Sequence, residues 1–260
     1  MTTTLRPPFA YTGAKTLIAP LIVKLLPPHT HYVEPFAGSL AVLLAKQPSL
    51  AETVNDIDGD LTHFWRTLRD YPEELARAVA LTPHCRLDYV ETRKQLADAD
   101  SIEHARRVFV RITQSMTRTL EPGMWARYVR HTAGPPLPAQ IHRAAERIYG
   151  VAERLKDVSI DSYDAMERIE MYGREPSNLL YVDPPYEGLG KYRDDINHAD
   201  LLRLLKKVPA SVVLSGYPSP LYAEELPGWV EHEIQSRVGG RGTPSAARVE
   251  KVWVKRAYRY

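Results

Sequence analysis

Asn178-Leu179-Leu180-Tyr181-Val182-Asp183-Pro184-Pro185-Tyr186 is an apolar run of strand length that stops at a carboxylate, two prolines and an aromatic ring. A proline lacks an N–H and fixes φ, so beyond Val182 the chain can neither extend a sheet nor turn into helix. Asp183 and Pro184, each preceding a proline, are biased towards extended geometry. The Asp183 carboxylate and the Pro184 carbonyl can then converge on one hydrogen-bond donor. Tyr186 is placed to stack on the ring that carries it. The set suits gripping the amino group of a planar base. A proline-stiffened turn that closes a strand has the same local signature.

Outward from this stretch, apolar runs of strand length alternate with longer amphipathic ones, the pattern of βαβ units around a parallel sheet. His31 to Phe36 reads as a first strand, Leu40 to Lys46 as a helix stopped near Pro48, and Glu52 to Asn55 as a second strand. Leu61 opens another helical pattern with Phe64, Trp65 and Leu68 on one side. The sheet pattern resumes at Val158-Ser-Ile160, Leu179 to Val182 and Ser211 to Ser215. Trp229 to Gln235 and Val249 to Lys255 alternate like half-buried strands, which predicts a closing antiparallel hairpin around the flexible loop Gly239 to Pro244. From Tyr71 to Glu146 the patterns are helical, with a turn at Glu121-Pro122-Gly123 and a loop from Ala133 to Pro138. The expected architecture is α/β: a mostly parallel sheet built from 1–62 and 147–260, with an inserted, mainly helical lobe at 63–146.

The 260 residues, 44% hydrophobic and 25% charged, are ordinary for a globular chain. No apolar run approaches the roughly 18 residues that cross a bilayer. The start, Met1 to Arg6, lacks the basic and apolar regions of a signal peptide. Cys85 is the single cysteine, which leaves no internal disulfide and no cysteine-based zinc site. A cytoplasmic, reducing compartment is expected, with no membrane partner. Net charge is only +2, but between Glu103 and Lys156 ten basic residues face four acidic ones. Such a segment is either a phosphate-facing surface or a set of solvated helix faces.

Three further clusters carry chemistry. Glu34-Pro35-Phe36-Ala37-Gly38-Ser39 joins the first strand to a helix, where a small residue lets backbone approach a ligand at the carboxyl end of a strand. Asp56, just after the second strand, is of the type that binds ribose hydroxyls; an N-cap or an Asx turn is the lesser alternative. Asp161, after the third strand, could face a cofactor or cap the helix that follows. Near the start, Tyr11-Thr12-Gly13-Ala14-Lys15 opens an apparent helix through Leu17, Ile18, Leu21, Ile22 and Leu25. A ring and an ammonium four residues apart could clasp the apolar part and the carboxylate of a ligand. A lysine at a helix start opposes the helix dipole, which predicts an anion nearby.

Together these pieces resemble the D12 class of adenine-specific DNA methyltransferases, the family of the Dam enzyme. They occur in that family's order: Tyr11-x-Gly13-x-Lys15, Glu34-Pro35-Phe36-Ala37-Gly38, Asn55-Asp56, an insert, Asp161-Ser162-Tyr163 and Asp183-Pro184-Pro185-Tyr186. Val213 to Tyr217 and Val249 to Val254 are similar to its closing strands. The resemblance implies a Rossmann-like class I methyltransferase fold and S-adenosyl-L-methionine as cofactor. Tyr11, Lys15, Phe36, Gly38, Asp56 and Asp161 would bind it, with Asp56 on the ribose and Asp161 near the adenine. Asp183, Pro184, Pro185 and Tyr186 would hold the N6 amino group of an adenine flipped out of double-stranded DNA. Arg118, Arg127 and Arg130, flanking the Glu121 turn, would bind DNA. The chain departs from the family pattern at Leu40, where a further glycine is usual shortly after Gly38; this sets bulk near the expected cofactor. The insert shows no recognition hairpin. Cytosine N4, an RNA base or a glutamine side chain are alternative acceptors on the same fold, and a non-catalytic DNA-binding relative is a further one. An orphan enzyme and a restriction–modification partner fit equally.

Overall fold

The computed structural model describes residues 5–92, 100–121, 123–127, 136–186, 196–238 and 246–257. Arg130, Pro122 and the loop at 239–244 lie outside them. In chain order the elements are α1 (Ala19–Val23), β1 (His31–Glu34), α2 (Ala41–Ala45), β2 (Ala51–Asn55), α3 (Gly59–Asp70), α4 (Pro72–Ala80), α5 (Arg86–Glu91) and α6 (Ser101–Gln114). There follow α7 (Leu137–Leu155), β3 (Val158–Asp161), α8 (Ala165–Gly173), β4 (Asn178–Val182), α9 (His198–Lys207), β5 (Ser211–Gly216), α10 (Pro220–Glu225), β6 (Val230–Val238) and β7 (Ala246–Lys255).

The strands form one sheet in the order β3-β2-β1-β4-β5-β7-β6. The first five are parallel; β7 runs antiparallel between β5 and β6. Successive residues of a strand point to opposite faces, and β4 shows the consequence. Leu179 and Tyr181 join one apolar cluster, with Tyr32, Val54 and the faces of α2, α3 and α7. Leu180 and Val182 join the other, with Val33, Val212, Leu214 and residues of α8 and α9. A strand covered on both faces must be apolar throughout, which is why Asn178–Val182 carries no alternation.

The helical insertion shares this core. In α7, Leu137, Ile141, Ala144, Ile148, Val151 and Leu155 are buried at helical spacing. Both α3 and α7 continue through the boundaries expected at 62/63 and 146/147, and Trp65, Val108 and Ile148 belong to the same cluster as Tyr32. Within the insertion one isolated bridge joins the two sides of the Glu121 turn. Met116 N–H donates to Met124 O (2.9 Å) and Ala126 N–H to Gln114 O (2.8 Å), flanking a Ser115–Trp125 bridge. This two-bond ladder is too short to leave a period in the sequence. The N-terminal helix is shorter than its apolar spacing suggests: it begins at Ala19, and Leu17 and Leu21 are exposed. Pro20 has no N–H and would clash inside a helix starting at Lys15, but is tolerated in a first turn.

Candidate active site

At the carboxyl edge of the parallel strands, between β1 and β4, neighbouring connections leave in opposite directions along the sheet. Open α/β sheets bind ligands at such a switch point. A cleft opens there, lined by Tyr11, Lys15, Phe36, Gly38, Asp56, Asp183, Pro184, Pro185 and Tyr186. Nine sequence-predicted residues from four chain segments thus meet. Asp161 is not among the lining residues: it faces Arg168 at 3.5 Å, and Asp164 lines the cleft instead. Asp164, not Asp161, caps α8, accepting from Met166 N–H (2.8 Å) and Glu167 N–H (3.2 Å).

The floor of the cleft is the turn after β1. Gly38 has φ +48° and sits beneath the Tyr11 ring. Its N–H donates to Asp56 Oδ2 (2.8 Å), while Asp58 N–H donates to Asp56 Oδ1 (3.0 Å). Asp56 therefore forms an Asx turn and faces the cleft at once. Asp58 caps α3 from the same loop. Leu40 also has positive φ, +58°, yet its side chain is fully buried in the core and does not line the cleft. The bulk expected near the cofactor points the other way.

Glu34 ends β1 beneath this loop. Its Oε1 accepts from Tyr32 Oη–H (2.6 Å) and Leu43 N–H (2.8 Å). Burial dominates over these donors and pushes its carboxyl from 4.5 up to about 8.

Opposite, four side chains form a buried polar group. Lys15 Nζ lies 2.8 Å from Asp183 Oδ1 and 3.4 Å from Glu250 Oε1, and also donates to Gly13 O (3.0 Å) and to Tyr186 Oη. Tyr186 Oη–H is 2.5 Å from Glu250 Oε1 and 3.3 Å from Asp183 Oδ1. Burial alone would lower the Lys15 ammonium, but the two carboxylates raise it. Burial raises both Asp183 and Glu250 against the pull of Lys15. The anion predicted beside Lys15 is thus the protein's own. Tyr217, after β5, packs against the Tyr186 ring at 4.3 Å.

Sequence reasoning missed Glu250 and Tyr217. Glu250 carried a signal: it shares a strand face with Val252 and Val254, which are buried, so a carboxylate stands where the period calls for an apolar residue. Arg118 reaches the site through its backbone, its carbonyl accepting from Thr12 N–H (3.1 Å), and its guanidinium is half-buried. Arg127 is exposed.

The profile of the D12 class N6 adenine-specific DNA methyltransferases matches residues 11–208, from the Tyr11 ring over the cleft to the end of α9. The chain belongs to that family. The methyltransferase is also 25% identical, over 279 aligned positions covering 96% of this chain and 95% of the relative, to the Type II methyltransferase M1.LlaDCHI of Lactococcus lactis subsp. cremoris. Among solved structures it overlaps an S-adenosylmethionine-dependent methyltransferase from Agrobacterium tumefaciens (TM-score 0.40, 12% identity, 90% of this chain and 59% of that one). It also overlaps an rRNA methylase from Streptococcus thermophilus (TM-score 0.37, 8% identity, 92% and 94%). The family's methyl donor is S-adenosylmethionine. The residues of the cleft fit it: carboxylates for hydroxyl and amino groups, a glycine turn open to close approach, and aromatic rings for apolar surface. Among the described residues no helix is long and apolar enough to cross a membrane, and no cluster of His, Cys, Asp and Glu is suited to a metal ion.

Proposed function

We propose that this methyltransferase transfers a methyl group to N6 of an adenine flipped out of a specific site in double-stranded DNA. The supporting observation is the placement of Asp183 and Tyr186 at the end of β4, in one cleft with Gly38 and Asp56. When bound, S-adenosylmethionine supplies an electrophilic methyl group on a sulfonium. Tyr11, Phe36, Gly38 and Asp56 hold it, and Asp161 serves only at a distance, through the loop that it shares with Asp164.

Asp183 and the Pro184 carbonyl accept the two amino hydrogens. The N6 lone pair, otherwise delocalised into the ring, is freed for in-line attack. Positioning supplies much of the rate, and the two acceptors stabilise positive charge growing on nitrogen. Extrusion of the base costs a few kcal/mol. Stacking on Tyr186 returns about 1–3 kcal/mol of it. Arg118 and Arg127, with Arg130 outside the described residues, bind phosphates around the target.

Labelled-methyl incorporation into DNA, followed by nucleoside mass analysis, tests this reading. N6-methyladenine is expected; N4-methylcytosine or a modified RNA base would replace it. Sequencing for modified adenines in cells that express the protein gives the target site.

A further inference from the structure

Glu250 lies on β7, 64 residues from Tyr186 and inside the closing-strand segment Val249 to Val254, yet it is the second carboxylate of the buried group that contains Asp183. Its Oε1 sits 2.5 Å from the Tyr186 hydroxyl and 3.4 Å from Lys15 Nζ, and its side chain is almost wholly buried. A lone Lys15–Asp183 pair would be neutral. With both carboxylates ionised the group would carry one net negative charge in a place where unbalanced charge is costly. Without a donor the group therefore favours holding one proton, which a positively charged donor displaces. Structural packing alone does not call for a second acid here, since β7 continues from Glu250 into Val252 and Val254 on the same apolar face.

The chemistry of N6 methylation does call for it. As the N6–methyl bond forms, the methyl–sulfur bond breaks, its electron pair stays on sulfur, and one N6 proton must leave. The donor enters with one positive charge and leaves neutral. We propose that Glu250 gives the active site its capacity for that proton, which Asp183 receives and which is shared with Glu250 through the Tyr186 hydroxyl. The group then passes from one negative charge to none while the donor passes from one positive charge to none. The summed charge of the buried site stays constant across the step, which matters most where the dielectric is low. Burial raises both carboxyls against the pull of Lys15, which favours uptake of a proton by the group. Glu250 acts through Tyr186 and is a positioning residue, not one that touches the base. This inference rests on the methyl-transfer reading.

The groups that face Glu250 are Lys15 from the N-terminal segment, Asp183 and Tyr186 from the loop after β4, and Tyr181 from β4; Glu34 of β1 stands behind Asp183. The test is calorimetric binding of S-adenosylmethionine and of S-adenosylhomocysteine to the full chain, near neutral pH, in buffers of different ionisation enthalpy. The positive ligand should expel the group's proton and the neutral one should not, so the parent releases more protons with the former. Glu250→Gln should abolish that difference while binding both ligands. In single-turnover methylation of a duplex, the same variant should slow transfer about 100-fold and move the acidic limb of the pH–rate profile to lower pH. Glu250→Asp should recover part of the rate. Equal proton release by both ligands in the parent overturns the proposal and needs no variant to fold. So does a difference that survives in Glu250→Gln. A parent that binds neither ligand or transfers no methyl group overturns the methyltransferase reading itself. Intact transfer with equal proton release removes only the role of Glu250.

Discussion

Glu34→Gln isolates one buried ionisation. Glu34 is 2% exposed, and its Oε1 accepts from Tyr32 Oη–H and Leu43 N–H. A glutamine carbonyl keeps both contacts and removes the charge. The folded carboxyl titrates at about 8 against an ordinary 4.5. A folded pKa raised above the unfolded one means that the folded state holds the proton more tightly. The resulting stability is fully present below the unfolded value and is lost as pH rises through the folded one. The whole span is worth about 5 kcal/mol. Between about pH 6 and about pH 9 the loss is about 3 kcal/mol. For a chain of this size that lowers the melting temperature by roughly 5–10 °C. Urea denaturation of parent and Glu34→Gln at both pH values, without ligand, measures it. The variant should gain about 3 kcal/mol on the parent across the interval. Other groups titrate in the same window, but they cancel in the difference. Parallel stability curves for the two proteins would show that Glu34 is not held protonated by burial, and the reasoning would fail.

Asp183→Ala should abolish methyl transfer while cofactor affinity by calorimetry persists; transfer at the parental rate would remove Asp183 from the chemistry. Lys15→Met should reduce transfer more than cofactor affinity, because its ammonium faces Asp183 and Glu250, whereas Asp56→Ala should weaken cofactor binding by loosening the Gly38 turn. The reverse ranking in binding and rate measurements would exchange their roles. Leu40→Ala should cost about 2–5 kcal/mol in denaturant unfolding yet barely change cofactor affinity, since the side chain fills the core; a larger effect on binding than on stability would contradict this. Arg118→Ala and Arg127→Ala should each lower the slope of log affinity against log salt by about 1, and an unchanged slope would take them off the phosphate surface.

Much of the site was legible because its pieces are local. Asp183 to Tyr186 is stiffened by its own prolines, and Gly38 and Asp56 follow strands that announce themselves by apolar runs. Asp161 was assigned to the cofactor by its place after a strand, but Arg168, one helical turn into α8, takes its carboxylate. Pro20 marked the true start of α1, and the apolar spacing from Leu17 to Leu25 masked it. The ladder of 114–116 with 124–126 holds two backbone bonds, too few for any periodicity. The boundaries at 62/63 and 146/147 were drawn where the strand pattern changes, although α3 and α7 run through them and bury one face in the common core.

By itself the sequence determined the order of the main elements and the buried central strand, which depend on residues within a few positions of one another. It also determined the family, which depends on such local motifs met in a fixed order. Only the tertiary structure decided that Lys15, Asp183, Tyr186 and Glu250 form one charge-coupled group, and that Leu40 turns into the core. Those facts depend on which strand faces cross when distant segments pack. Pairing at 171 and 64 residues of separation is set by the burial of the whole sheet, and no local pattern encodes it.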